Sequence, residues 1–251
     1  NKGHCYRAQR PFYWDPVDQT AIASAEIEDK ELPSFANDII FTCEGRPLTI
    51  MTTRPELLPA CVALFYHPDD TRYKKLKGKH ANVPLCNFTV PILEDEAVEM
   101  EKGTGLMMCC TFGDEKDIEK WRKHNLPTRT IINKFGKIDL ALALPEGQFE
   151  TGFAYPNELA EAINTKKVSN ADVKHPGARQ IILGLLETAD ALKAKKPITH
   201  AVKCAERSGA PLELIPTAQW FVQVTDKKEA LKAKANECNW NPEWMRIRIE
   251  P

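Results

Sequence analysis

The chain has 251 residues, 43% of them hydrophobic and 27% charged, which is enough to bury a sizeable core and ordinary for a globular protein. Lys plus Arg number 34 and Asp plus Glu 35, a formal net charge of -1. That balance excludes a global field for nucleic acid and leaves any such binding to local patches. No apolar run approaches the roughly 18 residues of a membrane span. Eight cysteines, at 5, 43, 61, 86, 109, 110, 204 and 238, form no C-x-x-C pair and have no zinc-type histidine spacing, so they are expected to be reduced core residues in a cytoplasmic setting. Adjacent Cys109 and Cys110, if on a strand, point to opposite faces and make a poor metal pair. The chain opens on Asn1 and closes on Glu250-Pro251, and is expected to be a piece of something larger.

Residues 1–38 show little periodicity; "YWDPVDQTAIASAEIEDKELPS" reads as a turn-rich, extended segment with an acidic end. From 39 the texture changes. The runs "DIIFTC", "PLTIMTT", "CVALFYH", "FTVPILE" and "GLMMCCT" follow closely, broken by Gly, Pro, Asn and Asp, and predict a mainly β fold with peripheral helices, its core a compact sheet or barrel. "CEGRPL" has the residues of a hairpin turn. Residues 114–125 predict a helix with Ile118 and Trp121 inward and Glu115, Lys116, Glu119 and Lys120 solvated. "TRTIIN", "KFGK" and "KIDLALAL" predict another hairpin. Residues 176–196 predict the clearest helix, with Ile181, Leu185, Ala189 and Leu192 on one face and Pro197 as its stop. The remainder reads as two strands, a basic helix and an irregular tail, with Trp220, Trp240 and Trp244 as packing anchors.

Two short stretches carry chemistry. In "GTGLMMCCTFGDEKD", residues 103–117, Asp114 and Asp117 open the predicted helix. One reading is a capping box, with Asp114 accepting a backbone N–H and Asp117 leaning over the first turn. The other uses the same geometry to hold a substrate ammonium: i, i+3 spacing puts both acids on one side, the helix end keeps them ionised, and the Gly103-Thr104-Gly105 backbone offers close approach. A general-base role is not expected, because nothing obvious raises either pKa towards neutrality. In "MTTRPE", residues 51–56, Thr52 and Thr53 end a strand with hydroxyls on opposite faces, Arg54 supplies a multi-donor head and Pro55 fixes the turn; the alternative is a strand end with a surface ion pair. His67 reads as a turn residue and His124 as a helix C-terminal cation. Lys74, Lys75, Lys77 and Lys79 read as a solvated face.

In this order, "TTRPE", "YHPDDTRYKKLKGKHANVPL", "VPILEDEAV" and "GTGLMMCCTFGDEKD" resemble the editing domain inserted in the class I synthetases for valine, isoleucine and leucine. "AERSGAPLELIPTAQWFVQV" is similar to the segment where such a chain re-enters its catalytic domain. Within the group, the "HPDD", "TFGD" and "QWFV" runs most resemble the valine branch. The resemblance implies a segment over 1–38 leading in from the catalytic domain, an editing β-barrel with helices over 39–198, and a return segment over 199–251. It implies hydrolysis, by water, of the ester of mischarged threonyl-tRNA for valine. Asp117 would hold the substrate α-amino group, with Asp114 its partner; Thr52, Thr53 and Arg54 would wall the pocket, beside Gly103, Thr104 and Gly105. The implied partners are the threonine-bearing acceptor end of valine tRNA and the rest of the synthetase, with no membrane. No metal or cofactor is implied for editing, ATP entering only in the full-length synthetase. An isoleucine-type specificity for valyl-tRNA, or a non-catalytic tRNA-binding insertion, are the alternatives. Neither the HIGH nor the KMSKS signature occurs, so this stretch alone is not expected to charge tRNA. Leu57, Gly113, Met108 and Cys110 depart from threonine, histidine, lysine and threonine common in relatives. Zinc-binding cysteine pairs of some relatives are missing around "WDPVD" and "CAERSG".

Overall fold

A computed structural model describes residues 4–143, 155–168, 176–242 and 244. They divide into two compact units, one formed by Asn1–Arg10 with Thr217–Pro251 and the other by Pro11–Pro216. In chain order the elements are β1 (Cys5–Asp15), β2 (Thr20–Ala21), β3 (Ile27–Cys43), β4 (Arg46–Thr52), β5 (Cys61–Tyr66), β6 (His80–Asn82), β7 (Thr89–Glu94), β8 (Leu106–Cys110), α1 (Glu115–Lys123), α2 (Asn157–Ile163), α3 (Ala178–Thr188), β9 (Leu192–Ala205), β10 (Glu213–Val222) and α4 (Lys228–Asn236). The fold is mainly β with peripheral helices.

The larger unit is built on a curled half-barrel sheet of six strands in the order β4-β3-β6-β7-β5-β8, with β9 added on β3. The β3–β4 hairpin sits where the turn residues put it. Cys43 pairs with Arg46 across Glu44 and Gly45, whose φ values of 48° and 76° belong to a two-residue turn twisted with its strands. Every residue of β5 is buried, because the strand lies between parallel β7 and antiparallel β8 and both its faces are covered. Leu64 and Tyr66 face the main core with Ile39, Phe41 and Ile50, whereas Val62 and Phe65 face a smaller cluster with Val98 and Cys109. Cys109 and Cys110 fall in different clusters, as alternation along a strand requires. In the smaller unit Tyr6 stacks on Phe221 at 5.5 Å and the Gln223 amide donates to the His4 carbonyl.

The helix carrying the two candidate acids is pinned at its other end by Asp95. That buried carboxylate accepts from Lys120 Nζ at 3.0 Å, lies 3.1 Å from Lys123 Nζ and 2.7 Å from His124 Nε2. Burial works against its charge, but the His124 and Lys120 contacts hold its carboxyl well below the ordinary range. Lys120 is therefore not on a solvated face: it is 4% exposed, with its ammonium 5.2 Å from the Phe65 ring centre. The residues of α1 that are buried are Asp117 and Lys120, not Ile118 and Trp121.

Other expectations are corrected. The helix predicted for 176–196 ends at Thr188, and from Leu192 the chain is the strand β9, running through Pro197 to Ala205. Thirteen paired positions with β3 outweigh local helical periodicity, and Pro197 is tolerated because β9 pairs on one side only. The turn-rich, extended reading of 1–38 holds as to extension but did not identify β1 and the first half of β3 as strands; the first half of β3 mixes half-buried with exposed positions and so lacks an apolar stripe. The hairpin predicted near "KFGK" reduces to an isolated bridge between Ile132 and Ile138 and a 3-10 turn at Leu140–Ala143; its last residue, 144, lies outside the described residues. Cys5 and Cys238 are exposed, unlike the other six cysteines. Trp220 is 75% exposed, too open for the packing anchor expected of it, and Trp244 is 55% exposed. Among the described residues no helix is long and apolar enough to cross a membrane.

Breaking a buried ion pair by removing one partner costs about 3–5 kcal/mol. Asp95→Ala, which strands Lys120, should lose that much in chemical denaturation. Lys123→Ala, removing only the exposed partner, should lose less than about 1 kcal/mol; equal losses would show that α1 is not anchored through Lys120.

Candidate active site around Gly113

Asp114 is the N-cap of α1. Its extended backbone (φ -152°) lets the exposed carboxylate accept the Asp117 amide at 2.9 Å, so the capping reading holds for this residue. Asp117 turns inward and is 5% exposed. Its Oδ2 accepts the Gly113 amide at 3.0 Å, and its Oδ1 is buried with no hydrogen-bond partner. Burial pushes the carboxyl up to about 8 and the Asp114 charge adds to the push; the Cys110 and Gly113 amides and the Cys109 thiol oppose it without reversing it. Of those amides only that of Gly113 is in hydrogen-bond geometry. The expectation that Asp117 is simply kept ionised is thus overturned: a free helix end favours the anion, but loss of water around a carboxylate outweighs it.

Gly113 joins the two chemical stretches. A β-carbon there would lie 2.6 Å from Asp117 Oδ2 and 3.2 Å from Leu57 Cδ1, so only glycine leaves room for the carboxylate in its place. The Gly113 carbonyl accepts from Arg54 Nη1 at 3.2 Å. Arg54 Nε reaches Glu56 at 3.0 Å and Nη2 reaches Glu213 at 2.7 Å, so each guanidinium nitrogen is engaged. Arg54 is not a surface ion pair but part of a line Glu213–Arg54–Glu56–Arg179, with Arg179 bonded to both oxygens of Glu56 at 2.8 and 2.7 Å. Glu56 is 0% exposed. Burial would raise its carboxyl, but Arg179 and then Arg54 outweigh that and hold it below the ordinary value.

The remaining residues are placed as follows. Thr52 uses its hydroxyl to accept the Arg54 amide at 3.0 Å, a local turn bond that sets where Arg54 leaves the strand. Thr53 is half-buried next to it. Gly103 (φ 60°) abuts the Met51 side chain, where a β-carbon would come within 3.0 Å; the glycine turn therefore lies against the end of β4. Thr104 accepts the Tyr73 hydroxyl at 2.6 Å through its carbonyl, and Gly105 (φ 79°) packs under Arg72, itself clamped by Asp70 and the Met100 carbonyl. The Gly105 amide is spent on the Lys102 carbonyl. Thr52, Arg54, Asp114 and Asp117 are thus linked through Gly113, whereas Thr104 and Gly105 are bound to the Asp70–Tyr73 turn. Reading the sequence missed Glu213 and Arg179. A lone acid in "PLELIP" was the available signal, since an acid in an apolar strand needs a buried partner.

A family model described as tRNA synthetases class I (I, L, M and V) matches residues 1–251. The chain belongs to this family. This class I synthetase chain is 52% identical to valine--tRNA ligase of Rickettsia conorii (strain Malish 7) over 250 residues, covering 99% of this chain and 28% of that protein. The same identity and coverage hold for valine--tRNA ligase of Rickettsia rickettsii (strain Sheila Smith). Identity to the valine--tRNA ligase of Ehrlichia canis (strain Jake) is 46% over 251 residues, 100% of this chain and 29% of that protein. The synthetase chain therefore spans just over a quarter of the length of these relatives.

Two outcomes test the geometry of this synthetase site. Asp117 binds its proton up to about 8 when folded and up to about 3.9 when unfolded. Between those values the folded state holds the extra proton, so stability falls as pH rises, by about 1.4 kcal/mol per unit for a fully developed shift. Asp117→Asn keeps an acceptor for Gly113 and cannot ionise; its denaturation midpoint should exceed the wild type's at pH 8 and converge with it near pH 4. A constant offset across that range would contradict the raised pKa. Gly113→Ala should displace the carboxylate and cost about 1–3 kcal/mol, read in the same assay.

Proposed function

We propose that this chain is the hydrolytic editing part of a valine-specific synthetase, clearing threonine from mischarged valine tRNA. The observation that carries the proposal is Asp117 Oδ1, a buried acid oxygen without a partner in a chain matching valine--tRNA ligases over its length. Such an atom is costly unless a ligand completes it. The α-ammonium of an aminoacyl ester supplies both the donors and the positive charge that the site lacks. Water adds to the ester carbonyl, the acyl C–O bond breaks, and the ribose oxygen leaves with a proton, giving free threonine and uncharged tRNA. Asp117 orients the substrate in that step, with Asp114 setting the start of the helix beneath it.

The need for such an activity is energetic. In valine synthetases a pocket shaped for valine rejects isosteric threonine only about 100-fold. A hydrolytic pocket with an acceptor for the threonine hydroxyl would leave it unpaired with valine, at about 1–3 kcal/mol. Because an acid with a pKa near 8 is also suited to moving protons, a second reading makes Asp117 the base that activates water.

Deacylation of threonyl-tRNA by the full-length protein tests both. Asp117→Ala should slow it about 100-fold, the scale of losing one buried polar contact to the reacting substrate. Under the ammonium reading, kcat/KM should rise up to tenfold per pH unit as Asp117 ionises towards about 8 and fall once the ester's own amine deprotonates, giving a bell-shaped profile. A threonyl ester analogue lacking the amine should be a poor substrate. Equal rates for that analogue would replace the anchor with the base, and faster hydrolysis of valyl-tRNA for isoleucine would move the specificity to the isoleucine branch.

A further inference from the structure

The structure assigns a positioning role in this site to Glu213, a residue of β10 far along the chain from both candidate stretches. It rests on the reading of Asp117 as the group that holds the substrate amine. Arg54 fixes the Gly113 carbonyl through Nη1, and the Gly113 amide in turn fixes Asp117 Oδ2. Gly113 is thus gripped from both its polar groups, and Arg54 is the only one of the two grips that comes from outside its own turn. What aims Arg54 is the pair of carboxylates on its other nitrogens. Glu56 sits two residues away and is shared with Arg179, so Glu213, at 2.7 Å from Nη2 and largely buried, is the long-range tether.

Three features make this tether more than a generic ion pair. Arg54 is itself only 22% exposed in its side chain, so the pair is poorly screened by water. The planar guanidinium presents its donors in a fixed fork, which means that holding Nη2 on Glu213 and Nε on Glu56 dictates where Nη1 points. Finally, Leu57 occupies the space beside Gly113, and its amide donates to the Arg54 carbonyl. The Arg54 main chain thus holds the apolar wall next to Asp117 while its side chain holds the Gly113 peptide. Glu213 touches neither Asp117 nor Gly113; its influence passes through Arg54.

The experiment is deacylation of threonyl-tRNA by the full-length protein carrying Glu213→Ala, Glu213→Gln or Asp117→Ala, with thermal melting of each. Expected for Glu213→Ala is a fall in kcat of at least tenfold with KM within twofold, because the reactive end is misplaced while the tRNA contacts are not. Glu213→Gln, which keeps an acceptor for Nη2 and gives up the charge, should recover most of that loss. A Glu213→Ala protein that melts lower yet keeps the wild-type kcat, while Asp117→Ala is inactive, overturns the positioning role and leaves the editing reading intact. Absence of deacylation by the wild type defeats the editing reading and this proposal with it. Should Glu213→Ala fail to fold, Glu213→Asp replaces it, since withdrawing the carboxylate by one methylene must also turn Arg54; unchanged kcat there overturns the role equally.

Discussion

A carboxylate taken out of water must find a cation, gather neutral donors as Asp15 does from two amides and the Ser208 hydroxyl, or keep its proton, and that constraint organises the larger unit. Among the described residues six acids there are at most 7% exposed, Asp15, Glu56, Asp70, Asp95, Asp117 and Glu213, and Glu56, Asp95 and Asp117 show the contrast most plainly. Glu56 has two arginines and Asp95 has two lysines and a histidine, so both are held below their ordinary values. Asp117 has one backbone amide and is pushed the other way. The same loss of solvent meets opposite outcomes because of what stands opposite each oxygen.

The absence of a counter-charge at Asp117 is not for lack of a lysine nearby. Lys120 lies three residues further along the same helix and is buried on the same side, the spacing at which an acid and a base ordinarily meet. Its ammonium goes instead to Asp95 at 3.0 Å. Asp95 thus does two things with one set of contacts: it fastens the basic end of α1 to the sheet, and it removes the cation that would have neutralised Asp117. The acid end of the helix is left desolvated and without a counter-charge among the described residues, which is why its carboxyl is pushed up.

What could be read in the sequence follows from the range of the interactions. The β3–β4 hairpin was legible because Glu44-Gly45 fixes a turn within four residues, and the start of α1 was legible because Asp114 caps it locally. The boundary between α3 and β9 was not, since "ETADALKAKK" has helical periodicity and becomes a strand only through its pairing with β3, more than 150 residues earlier. Lys120 was misplaced for the same reason: a lysine reads as solvated until Asp95, from another element, makes burial tolerable. The acids at 114 and 117 could be picked out as a pair, but their different fates could not, because exposure of one and burial of the other depend on where the sheet covers the helix.

The departures from the family pattern now have a physical consequence. Leu57 and Cys110, where the resemblance implies hydroxyls, are both buried beside the Asp117 turn, the Cys110 thiol reaching the Leu57 carbonyl at 3.3 Å. Replacing polar neighbours by apolar ones removes dipoles that would have stabilised a carboxylate anion, so it raises the cost of ionising Asp117 in the empty site. Under the proposed editing reading, an arriving ammonium must expel a proton to form the ion pair, and part of its attraction is spent on that. A ligand of the same shape without the charge meets the protonated acid without that cost and can still exchange a hydrogen bond with it. On that reading, apolar walls therefore weaken binding of the amine and narrow the margin between a charged aminoacyl end and an uncharged one, by as much as they raise the cost of ionising Asp117. The distinction between threonine and valine has to come from a different polar group than Asp117, because both amino acids carry the same ammonium.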